Sequence, residues 1–107
     1  DFLGLFESNR YTIHTIFING FFLAIESRHF AEATFFENWI KAHFYKENEA
    51  YLRIVFKFAQ GELLFLQGNK ENGLKQMKQA VHILQLLDCQ TSAEYYQNGI
   101  EKLLKEN

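Results

Sequence analysis

The chain has 107 residues, 48% hydrophobic and 22% charged, and its 11 basic and 13 acidic side chains leave a net charge of −2. That is enough for one domain with a single buried core, and it excludes a disordered segment and the positive surplus of a stand-alone nucleic-acid binder. Aromatics reach 17%, mostly phenylalanine, and proline is absent, a profile for long, tightly packed helices.

Cys89 is the single cysteine, so no intrachain disulfide can form and an intracellular, cytoplasmic home is the default. The chain opens Asp1-Phe2-Leu3 without an initiator methionine and reads as a fragment of something longer. Asp1 to Ser8 reads as the tail of a preceding helix, with Asn9 as cap for the next.

The first complete helix is expected over about Arg10 to Ser27, with Ile13, Ile16, Phe17, Gly20 and Ala24 on one stripe. Phe21, Phe22 and Ile25 make it apolar almost all round, as for a helix held between neighbours. Its apolar run, Tyr11 to Ile25, contains His14 and Asn19 and falls short of the roughly 20 residues a membrane span needs. Arg28 and His29 make a brief turn, and a second helix follows over about Phe30 to Phe44, carrying Phe30, Ala33, Phe36 and Ile40.

A break near Lys46 ends on Asn48, a good cap, and a third helix covers about Glu49 to Gln67, with Tyr51, Ile54, Val55, Phe58, Leu64 and Phe65. Gly68-Asn69 stops it, because glycine most easily takes the left-handed conformation. The fourth helix, about Lys70 to Leu87, turns Gly73, Met77, Ala80, Val81 and Leu84 inward and Lys75, Lys78, Gln79 and His82 away. The last begins at Thr91 with a capping box to Glu94 and has Ile100, Leu103 and Leu104 on its apolar side.

The class is all-α, and breaks this short make consecutive helices antiparallel neighbours. Setting Gly61 over Gly20, an offset of 41, places Ile54 on Ile13, Phe58 on Phe17, Leu64 on Leu23 and Leu66 on Ile25. The second helices align more loosely, with Leu74 near Ala33. Gly61, Leu64, Gly73, Met77 and Ala80 reproduce the small-and-large alternation of a tetratricopeptide unit, where small residues let two helix backbones approach. The expected architecture is therefore helix hairpins stacked as a right-handed superhelix with a concave wall. Repeats fall at approximately 10–45 and 48–88, with a terminal capping or dimerisation helix at 91–106.

Two long stretches carry a family likeness. FINGFFLAIESRHFAEATFFENWI, followed by GELLFLQGNKENGLKQMKQAVHILQLLDCQTSAEYYQNGIEKLL, resembles the C-terminal region of the Rgg/GadR/MutR transcriptional regulators of Gram-positive bacteria. The resemblance runs from about Arg10 onward and rests on the order and spacing of its motifs. It implies a larger protein whose N-terminal helix-turn-helix domain, absent from this chain, contacts DNA. It also implies that these helices dimerise and sense, in several members by taking a short hydrophobic signalling peptide on the concave wall.

An extended peptide needs partners for its backbone groups and pockets for its apolar side chains. Asn19 supplies both a donor and an acceptor, and lies where the family pattern has an asparagine on an inner helix. Phe17, Phe21, Phe58 and Phe65 are candidates to line the groove, and Arg10 and Arg53 to clamp a peptide carboxylate. Each also has a plain reading, as core packing for the phenylalanines, a helix-to-helix bridge for Asn19 and a solvated face for the arginines.

On the last helix, Tyr95, Tyr96, Ile100, Leu103 and Leu104 cover more than one face, which predicts a symmetric homodimer through residues 91–105. His14, His29, His43 and His82 lack metal spacing, Cys89 reads as a small buried hydrophobe, no serine sits in a nucleophile elbow and no glycine-rich phosphate loop is present, so neither catalysis nor a cofactor is expected. The alternative function is a tetratricopeptide-like scaffold that docks another protein and senses no peptide.

Overall fold

The computed structural model describes residues 10–43 and 50–106, with the side chains of residues 10–12 left aside. Five α-helices and no strand occur among them: α1 Arg10–Glu26, α2 Phe30–His43, α3 Ala50–Leu66, α4 Lys70–Leu86 and α5 Gln90–Glu106. The expected caps at Asn9 and Asn48, and the segment Asp1 to Ser8, lie outside the described residues. Two compact units divide the chain, residues 1–53 and residues 54–107.

Three turns are built identically. After α1, Arg28 N–H donates to the Ile25 carbonyl (3.1 Å) and His29 N–H to the Ala24 carbonyl (2.9 Å). After α3, Gly68 donates to Phe65 (3.2 Å) and Asn69 to Leu64 (2.9 Å); after α4, Asp88 donates to Gln85 (3.1 Å) and Cys89 to Leu84 (2.8 Å). This paired closure requires a left-handed residue just past each helix, and Arg28 (φ 63°), Gly68 (φ 106°) and Asp88 (φ 60°) supply it. The next residue then starts the following helix: the carbonyls of His29, Asn69 and Cys89 accept from Ala33 (2.9 Å), Gly73 (3.0 Å) and Ala93 (2.9 Å). All three of those acceptors' partners are small and buried.

The turns correct two sequence expectations. Cys89, not a residue at Thr91, opens α5, so Thr91 and Glu94 sit inside the helix and no capping box starts it. The turns at Arg28 and Gly68 lie forty residues apart, so they align Gly61 with Phe21 and not with Gly20. The two glycines also have different surroundings. A Cβ on Gly20 would meet the Phe36 ring at 2.9 Å, whereas one on Gly61 would meet the backbone carbonyl oxygen of Gly73 at 2.8 Å.

In the first unit, α1 packs on α2 through aromatic rings. Phe17 lies parallel to Trp39, centroids 3.7 Å apart, and His43 lies nearly parallel to it at 3.9 Å. Two parallel rings this close to one indole cannot share a face, so Trp39 is held between them. His43 Nδ1–H donates to the Trp39 carbonyl oxygen (2.7 Å), which fixes the imidazole over the indole. His14 is buried edge-on to the same indole at 5.9 Å.

α1 buries Ile18, Phe21, Ala24 and Ile25 with His14, while Ile16 is 60% exposed. Of the stripe expected from spacing, only Ala24 is buried. The helix is apolar on every side, so its periodicity marks no face.

The second unit is organised around the crossing of α3 and α4. A Cβ on Gly73 would come within 2.5 Å of both the Gly61 carbonyl oxygen and the Phe65 amide nitrogen, so the two backbones meet where neither residue has a side chain. Met77, Ala80, Val81 and Leu84 are buried with Gly73, as their spacing predicts. Gln76 Nε2 donates across to the Lys57 carbonyl (3.2 Å). α5 joins through Ala93, Ile100 and Leu103, and Phe58 meets the Tyr96 ring at 4.7 Å. None of the described helices is long and apolar enough to cross a membrane.

Candidate functional site

Opposite the buried side of α1 lies a second stripe. Ile16, Asn19 and Leu23 stand three and four residues apart and are all exposed, with Ile16 at 60% and Leu23 at 64%. On a helix of 3.6 residues per turn they share one line, roughly half a turn from His14, Ile18, Phe21 and Ile25. An amide is thereby held between two branched aliphatic side chains on rigid backbone. It can donate to one backbone carbonyl and accept from one backbone N–H, while Ile16 and Leu23 offer apolar contact on either side.

The distances suit an extended chain. Ile16 and Leu23 are about 10 Å apart along the axis at 1.5 Å per residue. About three residues of an extended segment, at roughly 3.3 Å each, cover that length. One peptide unit over Asn19 then has its neighbours' side chains above Ile16 or Leu23.

The other expected contacts distribute differently. Phe21, Phe58 and Phe65 are buried at 5% exposure or less, so they hold helices together and present no surface to a ligand. Phe17 is half-buried and engaged on Trp39. Arg53 is exposed on the first turn of α3, and the side chain of Arg10 lies outside the described ones. Asn19 is thus brought together with Ile16 and Leu23 in place of the phenylalanines. Spacing from Asn19 by three and four residues was the available signal for that pair, but in an all-apolar helix it competes with equally good stripes.

On α5 the expected interface residues separate into two groups. Ile100 and Leu103 point into the second unit, Tyr96 is half-buried against Phe58, and only Tyr95 (71% exposed) and Leu104 (47%) are open. Cys89 is half-buried, its Sγ 3.8 Å from the Leu87 carbonyl oxygen. Among the described residues no group of three or more His, Cys, Asp or Glu side chains is placed to hold a metal ion.

Compared with known proteins, no curated sequence matches the chain. The family model described as the C-terminal domain of the HTH-type transcriptional regulator Rgg matches residues 1–98.

Proposed function

The chain belongs to the Rgg C-terminal domain family of transcriptional regulators, and from that premise we propose that it is the regulator's sensing and dimerisation module. Its hairpins stack as a tetratricopeptide-like right-handed superhelix, and a short hydrophobic signalling peptide binds on the inner face with Asn19 at the centre. Binding is read out by a helix-turn-helix domain carried elsewhere on the protein, and two copies pair through α5. The recurrence of one turn after α1, α3 and α4 supports helix hairpins as the repeated unit, because the same joint closes each of these helix pairs.

One observation carries the peptide reading: the exposed line of Ile16, Asn19 and Leu23. A purely solvated helix face would carry charges there, and a purely packing face would not need an amide. The test is calorimetric titration with synthetic short hydrophobic peptides, comparing the native chain with Asn19→Ala. The expected result is binding that weakens about tenfold in the variant, the loss of about one good hydrogen bond to a desolvated backbone. Equal affinities would remove Asn19 from the site.

A second reading has its own observation. Counting back from the matched turns, Ile16, Asn19 and Leu23 correspond to Phe56, Ala59 and Leu63, and these are buried. The same face of α3 is therefore a packing surface, which favours helix docking at α1 and the scaffold alternative. The two readings part on the ligand: a helical partner binds through Ile16 and Leu23 with Asn19→Ala tolerated, while an extended peptide requires the amide.

A further inference from the structure

α4 also turns a face outward, away from the Gly61 crossing. Lys75, Lys78 and His82 are exposed at three- and four-residue spacing, with Glu71 one turn before Lys75. Together with Lys57 of α3 they border an open groove of about 720 Å³, whose apolar part is made by half-buried Leu74 and Ile83. Three ammonium groups and an imidazole face one carboxylate, in a chain whose net charge is −2. Positive charge is concentrated here against the sign of the whole molecule.

We propose that this groove docks an acidic, apolar peptide segment, one whose glutamate or aspartate side chains bracket leucine- or phenylalanine-type side chains. Two complementarities select that class. The lysines and His82 favour carboxylates, and the field between such groups steers an oppositely charged partner onto the face. Leu74 and Ile83, extended by the methylene stems of the lysines, need an apolar side chain over them if water is to leave. A nucleic-acid backbone meets the first requirement and leaves the second unmet. The volume falls within the range of well-formed ligand sites. This surface is on other helices than the Asn19 line and has a different chemistry, charged where that one is neutral, so the two are independent.

The experiment is methyl NMR of the chain with Leu and Ile labelled, titrated with three probes: a synthetic peptide alternating glutamate and leucine, its lysine–leucine counterpart, and a short DNA duplex. The glutamate–leucine peptide is expected to shift the Leu74 and Ile83 methyls, to bind more weakly as salt is raised, and to lose about tenfold in affinity with Lys75→Glu/Lys78→Glu. The lysine–leucine peptide is expected not to bind. No methyl shift with the acidic peptide, equal binding of both peptides, or tighter binding of the duplex than of the acidic peptide would each overturn the proposal. The salt titration is made on the native chain, so a failure of the double variant to fold does not remove the test.

Discussion

Gly61 and Gly73 touch backbone to backbone: a methyl group on either would fall within 3 Å of the other's carbonyl oxygen. No side-chain rotation can relieve such a clash, since the obstructing atoms are main chain. Gly73→Ala is therefore expected to destabilise by about 2–3 kcal/mol, as overpacking between rigid elements does. Gly61→Ala should cost nearly as much, with the Met77 side chain giving way before the carbonyl does. Urea unfolding monitored by circular dichroism measures both.

Gly99 provides the opposite outcome. A Cβ there meets only the tip of the Phe58 ring at an ordinary 3.8 Å, and the residue lies inside α5. Gly99→Ala should stabilise by about 0.5–1 kcal/mol, the usual gain of alanine over glycine within a helix. A loss of stability in the same unfolding experiment would mean that α5 sits closer to α3 than these contacts describe.

At the turns, Asp88 holds a left-handed conformation that glycine adopts without a steric penalty. Asp88→Gly should raise stability by up to about 1 kcal/mol. Gly68→Ala should lower it by about 1 kcal/mol or more, because φ at Gly68 is 106°. Arg28→Gly is expected to gain less than Asp88→Gly, since Arg28 Nη1 donates to the Ile25 and Glu26 carbonyls and that contact would be lost. Melting temperatures of the three variants give the order.

Trp39 is the chain's only tryptophan, so its emission reports the aromatic stack directly. Phe17→Leu removes one of its two flanking rings and should cost about 1 kcal/mol with a red-shifted emission maximum. His43→Ala should move the emission as well, and in addition frees the Trp39 carbonyl from its imidazole donor. An emission spectrum unchanged by both would contradict the three-ring arrangement.

The α5 residues separate the proposed self-association from folding. Tyr95→Ala and Leu104→Ala act on open side chains and should weaken a dimer while changing stability little. Ile100→Ala removes a buried side chain and should cost about 2–5 kcal/mol whatever the oligomeric state. Sedimentation of Tyr95→Ala/Leu104→Ala beside the native chain decides: an equally tight dimer would move the interface off α5.

How far the fold could be read from residues differed helix by helix. In α4 polar and apolar side chains separate cleanly, so Gly73, Met77, Ala80, Val81 and Leu84 were identifiable as inward and the crossing glycines as a packing need. In α1 nearly every position is apolar, and hydrophobic spacing favoured Ile16 over the side that is buried. The start of α5 was misplaced for a different reason. Thr91 and Glu94 look like a capping box, but the left-handed turn at Asp88 had already determined where the helix begins, and aspartate announces that conformation less plainly than glycine. The candidate site followed the same division: the amide at Asn19 was visible as chemistry, while Ile16 and Leu23 are told from core only by their exposure.

The joints after α1, α3 and α4 contain no slack, because the residue that finishes closing one helix also supplies the carbonyl that begins the next. Removing a single residue from such a joint would break the paired closure, so length changes there are expected to be tolerated far worse than substitutions. Between α4 and α5 each of Leu87, Asp88 and Cys89 gives its amide to the end of α4, so that joint has no length to spare.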